Sequence, residues 1–282
     1  MIPCFNELTV GKNGSLPNDV SLCAQAGFHN LELSKRNVLK YLRAGGSIGQ
    51  LKSELEQNHV TPANLCAVEN ISFLSKSSMR MLKESAEWTF SACRAIGCGC
   101  VEAIASFGVS WVSDKEIETE TVQSLLQLSD LAANYGVRLA LEFMAVPGSS
   151  VRAFGQCAAI IDTVDRSNVG MLLDTWHFYA SGAKVEELRQ LDGSKVFMLH
   201  VSDCPKREPW TAARSESYWP GDGAIPLVQI LKTLKQIGYD GMCSLEAMGP
   251  EIHAMPAADC IRTAKGRIES VMKDAGVLDA RG

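Results

Sequence analysis

The chain has 282 residues, 46% hydrophobic and 21% charged, which is the usage of a globular protein with an ample core rather than of a disordered one. A net charge of −5 leaves no general basic field for a phosphate backbone to find, which argues against nucleic acid as a partner. No run reaches the roughly 18 apolar residues of a membrane span, and the start, with no basic leader and Glu7 ahead of any long apolar stretch, is not a secretory signal, so a soluble, cytoplasmic protein is expected.

Ile2 to Asn6 reads as a first strand with a polar end at Asn6 and Glu7. A helix is predicted over Leu16 to Ala26, stopped by Gly27, then a strand at 30–34 ending in Glu32 and Ser34, and a helix at Ile48 to Gln57. Past Pro62, NLCAVEN forms a third strand, followed by a long amphipathic helix at Ser78 to Ile96 closed by Gly97. A fourth strand lies at 101–106, interrupted by Glu102. Ser113 and Glu116 then form a capping box that opens a helix running to Tyr135. Four further strands follow, RLALEF, VGMLLD, VFMLHV and MCSLEA, separated by helices at 154–164, 185–191 and 225–237. Ten cysteines are scattered, mostly in apolar stretches, and read as buried free thiols without a functional role.

Eight strands alternating with helices in one series imply a parallel sheet, and that number of units in this length implies a single-domain (β/α)8 TIM barrel spanning 1–282. An open Rossmann-like sheet is the main alternative, but no G-x-G-x-x-G follows the first strand. Barrel enzymes place their chemistry at the carboxyl ends of strands. There the last four strands deliver Glu142, Asp174, His200 and Glu246, each a competent metal ligand.

Three carboxylates and an imidazole suit one divalent cation, with manganese, zinc, magnesium, cobalt or ferrous iron all compatible. Against a dication the set leaves about one negative charge, which favours neutral, multiply hydroxylated substrates over polyanions. Such an ion, chelated by a carbonyl and its neighbouring hydroxyl, acidifies the carbon-bound proton between them. Glu142 and Glu246, opposed across an eight-strand barrel, are the candidate base and acid. His177, three residues after Asp174, reads as a loop histidine or as a partner fixing a ligand. Trp176, Phe178 and Trp219 are candidates for a sugar-binding wall, and Asp203 for orienting His200.

ALEF at 140–143, NVGMLLDTWHFY at 168–179, HVSD at 200–203, YWPGDGAI at 218–225 and SLEAMGPE at 244–251 resemble the xylose isomerase-like TIM-barrel superfamily of sugar isomerases and epimerases. Within it the likeness is to the inosose (2-keto-myo-inositol) isomerases, including CFNE at 4–7. The resemblance implies that Glu142, Asp174, His200 and Glu246 bind the catalytic metal, that His177 contacts a substrate oxygen beside it, and that Asn6 belongs to the substrate site. It also implies an arginine three residues before the Pro-Gly of the P-G-x-G loop. This chain has Ser217 there, with Arg214 nearby: either Arg214 substitutes from a shifted loop or that contact is lost.

The expected activity is therefore a metal-dependent isomerase or epimerase of a ketose or keto-cyclitol. A dehydratase on the same site begins with the same proton abstraction. An apurinic-site endonuclease would carry extra histidines at the earlier strand ends, and a non-catalytic carbohydrate-binding barrel would show no turnover. Homo-oligomerisation is left open.

Overall fold

The computed structural model describes residues 1–109 and 111–279. Its parallel strands are β1 (Ile2–Asn6), β2 (Asn30–Ser34), β3 (Thr61–Val68), β4 (Cys100–Ile104), β5 (Arg138–Glu142), β6 (Val169–Asp174), β7 (Val196–Val201) and β8 (Met242–Leu245). They pair in chain order, and β8 returns to β1 through Ile2 opposite Met242 and Phe5 opposite Leu245, closing a barrel. The helices are α1 (Leu16–Gln25), α2 (Lys35–Arg43), α3 (Ile48–Gln57), α4 (Lys76–Ile96), α5 (Asp114–Ala133), α6 (Phe154–Val164), α7 (Thr175–Ala180), α8 (Leu227–Gln236), α9 (Pro250–His253) and α10 (Ala257–Asp274). Among the described residues no helix is long and apolar enough to cross a membrane, and all ten cysteines are free and buried.

Strand side chains alternate between the two faces of a sheet. One column, including Leu31, Leu33, Val101, Leu139, Leu141, Met171, Leu173, Leu199, Val201 and Leu245, enters the large core shared with the helices. Each fully buried leucine there contributes about 1.5–3 kcal/mol. The other column turns into the barrel, where Cys4, Cys100, Ala140, Leu172, Phe197 and Met198 form a separate apolar plug. Two residues further along their strands, the same column becomes Asn6, Glu102, Glu142, Asp174 and His200, all buried. The site is thus the polar layer immediately above an apolar floor. Gly170 keeps β6 close to its neighbour, since a Cβ there would lie 2.5 Å from the Lys195 carbonyl oxygen.

The expected strands all occur, and the capping box of α5 is present, with Glu116 N–H donating to Ser113 Oγ at 3.3 Å and Ser113 N–H to Glu116 Oε2 at 2.9 Å. The helix expected at 185–191 is instead a 3₁₀ turn, Val185–Gln190. Four helices lie outside the sequence expectations: α2, α10 and the short α7 and α9. The helix α2 follows β2 without a loop, and only its Val38 is fully buried. In α10 the buried face combines Ala257, Cys260 and Ala264 with Ile261, Ile268, Val271 and Met272, an ordinary amphipathic stripe.

Two buried carboxyls stand under the first turns of this barrel. Glu7 Oε2 accepts the Ser34 N–H at 2.8 Å and thereby closes the amino end of α2. Burial pushes Glu7 up from 4.5 to about 7, and Asp19 from 3.8 to about 7. The folded chain therefore retains protons that the unfolded chain releases above about pH 4. Their stabilising effect is present at low pH, declines as pH rises from about 4 to 7, and is gone above that window. Glu7→Gln keeps an acceptor for Ser34 and removes the ionisation. Its thermal midpoint should exceed that of the native chain at pH 8 and match it at pH 4; a shift of equal size at both pH values would assign the effect to packing.

Candidate functional site

Ligand atoms of Glu142, Asp174, His200 and Glu246 lie within 4.8 Å of one another, and all four residues are buried. Register explains the convergence. Asp174 on β6 stands opposite His200 on β7, which stands opposite Ser244 on β8, two residues before Glu246. Glu142 closes β5, the neighbour of β6, so it stands three strands from Glu246 and not directly across the barrel from it as expected.

Each donor is held so that one atom faces the common centre. Asp174 caps α7, with Oδ1 accepting the N–H groups of Trp176 at 2.6 Å and His177 at 3.3 Å, which turns Oδ2 toward the common centre. His200 meets Glu32 on β2 through Nε2, 3.0 Å from Oε1. Its buried Nδ1 has no hydrogen-bond partner and lies 3.6 Å from Glu142 Oε1 and 3.5 Å from Glu246 Oε2. A carboxylate behind the far nitrogen fixes the ring of a metal-binding histidine and raises its basicity. This orphaned nitrogen beside three carboxylates fits a divalent cation, and the oxygen-rich set admits zinc, manganese, magnesium or cobalt.

The electrostatics agree with an unmet need for positive charge. Burial pushes Asp174 up to about 7, and the neighbouring Glu246 and Glu142 push it the same way while Arg214 opposes them. Burial alone would lower His200, yet Glu32 and Glu246 hold it well above its usual range. Burial also presses Glu246 upward, but the charges of His200 and Arg214 and their hydrogen bonds bring it below the ordinary carboxylate range.

Arg214, and not Ser217, reaches the donors. It enters the site from the loop between β7 and α8, donating through Nη2 to Glu246 Oε2 at 2.8 Å and to Asp174 Oδ2 at 3.4 Å. Its guanidinium lies 5.1 Å from the centre of the Trp176 ring, and its buried Nη1 has no partner. Ser217 is buried and uses its hydroxyl to accept the Met248 N–H. With Arg214 counted, three carboxylates, one dication and one guanidinium sum to zero, which removes the surplus negative charge expected from the sequence.

Asp203 is not the partner of His200. Its carboxylate instead accepts the N–H groups of Cys204, Gly221 and Ile225 and pins the loop that carries Arg214. Gly223 is needed beside it, because a Cβ there would lie 2.3 Å from Asp203 Oδ1. Asn6, expected at the substrate, donates to Glu246 Oε1 at 3.1 Å and accepts the Leu8 N–H at 2.9 Å, so it positions a ligand. Trp176 is fully buried beneath Arg214, with its indole N–H on the Glu216 carbonyl, and offers no open face. Trp219 lines a separate cavity of about 530 Å³ with Ser217, Glu251 and Met255, which none of the four donors borders.

His177 is fully buried and close to the centre, its Nε2 3.9 Å from Asp174 Oδ2. Nδ1 accepts the Ala145 N–H at 3.0 Å. Burial, then the charges of Arg214 and His200, hold the ring well below its usual range. A neutral ring accepting at Nδ1 carries its proton on Nε2. That atom has no partner, leaving one donor pointed into the site.

A family model described as xylose isomerase-like TIM barrel matches residues 20–268. The chain belongs to this family. Among its relatives, the inosose isomerase of Bacillus velezensis is 32% identical over 269 residues, 95% of this chain and 96% of that protein. The crystal structure of the IOLI protein with a bound zinc atom, 32% identical, matches with a TM-score of 0.93 over 97% of this chain and 99% of that one. More distantly, the 3-dehydroshikimate dehydratase of Pseudomonas putida is 23% identical over 261 residues, 90% of this chain and 40% of that protein.

Sequence reasoning missed the inner half of the site. Glu32, Asn64, Cys66 and Glu102 all turn into the barrel, with Asn64 Nδ2 donating to Glu32 Oε2 at 2.8 Å and Cys66 Sγ 3.8 Å from the same oxygen. Burial and the neighbouring Glu142 push Glu102 well above the carboxylate range. The available signal was an acid at an inward position within an otherwise apolar strand, as in NLELS and CVEAI. None of these positions is a histidine, so the extra ligands of an endonuclease-type cluster are not offered there. Glu32→Gln is expected to weaken divalent-metal affinity about 10–100-fold in chelator-competition titrations. Unaltered affinity would show that His200 does not depend on Glu32.

Proposed function

We propose that this chain is a divalent-metal-dependent isomerase or epimerase that moves a proton between adjacent carbons of a ketose or inosose-like keto-cyclitol. The observation that carries this reading is the meeting of Glu142, Asp174, His200 and Glu246 at one buried point. Inosose isomerases about one-third identical over nearly their whole length support the substrate class, and the bound zinc of the IOLI protein supports zinc as the ion. A divalent cation held by these four residues would supply Lewis acidity toward a carbonyl and its neighbouring hydroxyl, acidifying the carbon-bound proton between them.

The chain's own residues supply the proton transfer. Glu142 has fewer restraints than its opposite number, with His200 Nδ1 as its near polar neighbour at 3.6 Å, and is free to take a proton from carbon. Glu246, held by Asn6 on one oxygen and Arg214 on the other and three strands round the barrel from Glu142, exchanges the second proton. His177 donates from Nε2 to a substrate oxygen, and the unused Nη1 of Arg214 donates to another.

A dehydratase shares this first step, and the dehydratase relative keeps that reading open. It would release an unsaturated ketone in place of a rearranged one. Incubation of metal-loaded protein with ketoses and inososes in deuterated water should place label on the carbon beside the carbonyl. Glu142→Gln and Glu246→Gln are each expected to reduce labelling by at least about 100-fold. Labelling at the native rate in either variant would remove that glutamate from the proton transfer, and no labelling across the panel would favour a binding barrel.

A further inference from the structure

The donors at β5–β8 occupy half of the barrel mouth. The other half, above β2–β4, holds a cavity of about 500 Å³ whose lining includes Ser34, Lys35, Arg36, Cys66, Ser85 and Glu102. Cys66 and Glu102 connect it to the centre: Cys66 contacts Glu32, and Glu32 holds His200. Lys35 opens α2 directly after β2, and because the chain is extended up to Ser34 its backbone lies roughly 10 Å beyond that of Glu32, a span comparable to the far end of a substrate whose keto group sits at the donors.

Lys35 is half-buried, and burial lowers it below the usual lysine range. Its ammonium donates to Ser85 Oγ at 2.9 Å, and no carboxylate of the described residues pairs with it. Glu69 shares the cavity and its charge partly offsets the effect of burial on Lys35, but it is exposed to solvent and makes no ion pair with the ammonium. Arg36 adds a second cation on the same wall. A partly desolvated ammonium with a hydroxyl as its partner is short of an anion, since buried charges are ordinarily paired. The donor centre, neutral once Arg214 and a dication are counted, places no electrostatic bar against one.

We propose that the β2–β4 cavity is the subsite for an anionic substituent, a carboxylate or a phosphate ester, at the end of the substrate remote from its keto group, with Lys35 as the residue that selects it. The substrate is then an acidic or phosphorylated polyhydroxy ketone. This inference rests on the isomerase reading for the orientation of the substrate, but it is tested by binding and not by turnover.

Three ligands share one ketose head and differ at carbon 6: D-fructose, D-fructose 6-phosphate and D-fructuronate. Calorimetry on the zinc-loaded chain should show at least one of the charged pair binding about tenfold or more tightly than fructose, the value of one charge-assisted contact. Which of the two gains identifies phosphate or carboxylate. Lys35→Met should erase that preference while leaving fructose affinity unchanged, and Lys35→Arg should retain it. Equal or weaker binding of both charged ligands, no measurable binding by either, or a preference that survives Lys35→Met overturns the proposal. Failure of proton exchange alone, with the preference intact, would overturn the isomerase reading and not this subsite.

Discussion

Three carboxylates and a histidine held within 4.8 Å of one another and closed off from water cannot all be charged as they stand. Like charges in a buried site drive pKa values apart or draw in a counter-ion. In this barrel both responses are visible. Asp174 rises to about 7, His200 is held well above its usual range, and Arg214 reaches across the mouth to Glu246 and Asp174. A divalent cation resolves the same conflict more completely, and its binding would release the proton on His200.

The fold supplies this arrangement by a simple periodicity. Outward residues of each strand build the core with the helices, and inward residues build a plug of Cys4, Cys100, Ala140, Leu172, Phe197 and Met198. One step along, the inward column changes from apolar to ionisable. Glu32 behind His200, Asn6 behind Glu246 and Asp203 behind the Arg214 loop then orient what the strands deliver. Removal of any of these three leaves the donors in place but unsteered, so their effect is on affinity and geometry more than on folding.

Much of this was legible in the sequence. Apolar runs ending abruptly in Glu142, Asp174, His200 and Glu246 located the strands and the shared end, because an ionisable group that closes a buried strand must be met there by a partner or a ligand. The helix α2 was not legible because it starts directly at the end of β2 and buries a single valine, whereas α10, with Ile261, Ile268, Val271 and Met272 on its buried face, carried a readable stripe. Partnerships across the barrel were also hidden: nothing in the chain order says that Glu32 rather than Asp203 reaches His200, because that depends on register between strands far apart in sequence. The displaced arginine was legible as a question, with Ser217 at the expected position and Arg214 three residues earlier. Only the pinned loop answers it.

The central claim is that one divalent ion is shared by Glu142, Asp174, His200 and Glu246. Anomalous diffraction at the zinc edge, from crystals grown with zinc, tests it most directly. The account predicts a single strong peak about 2.0–2.2 Å from His200 Nδ1 and from carboxylate oxygens of the other three. A peak instead among Glu32, Cys66 and His200 Nε2, or no peak in the barrel, would contradict it.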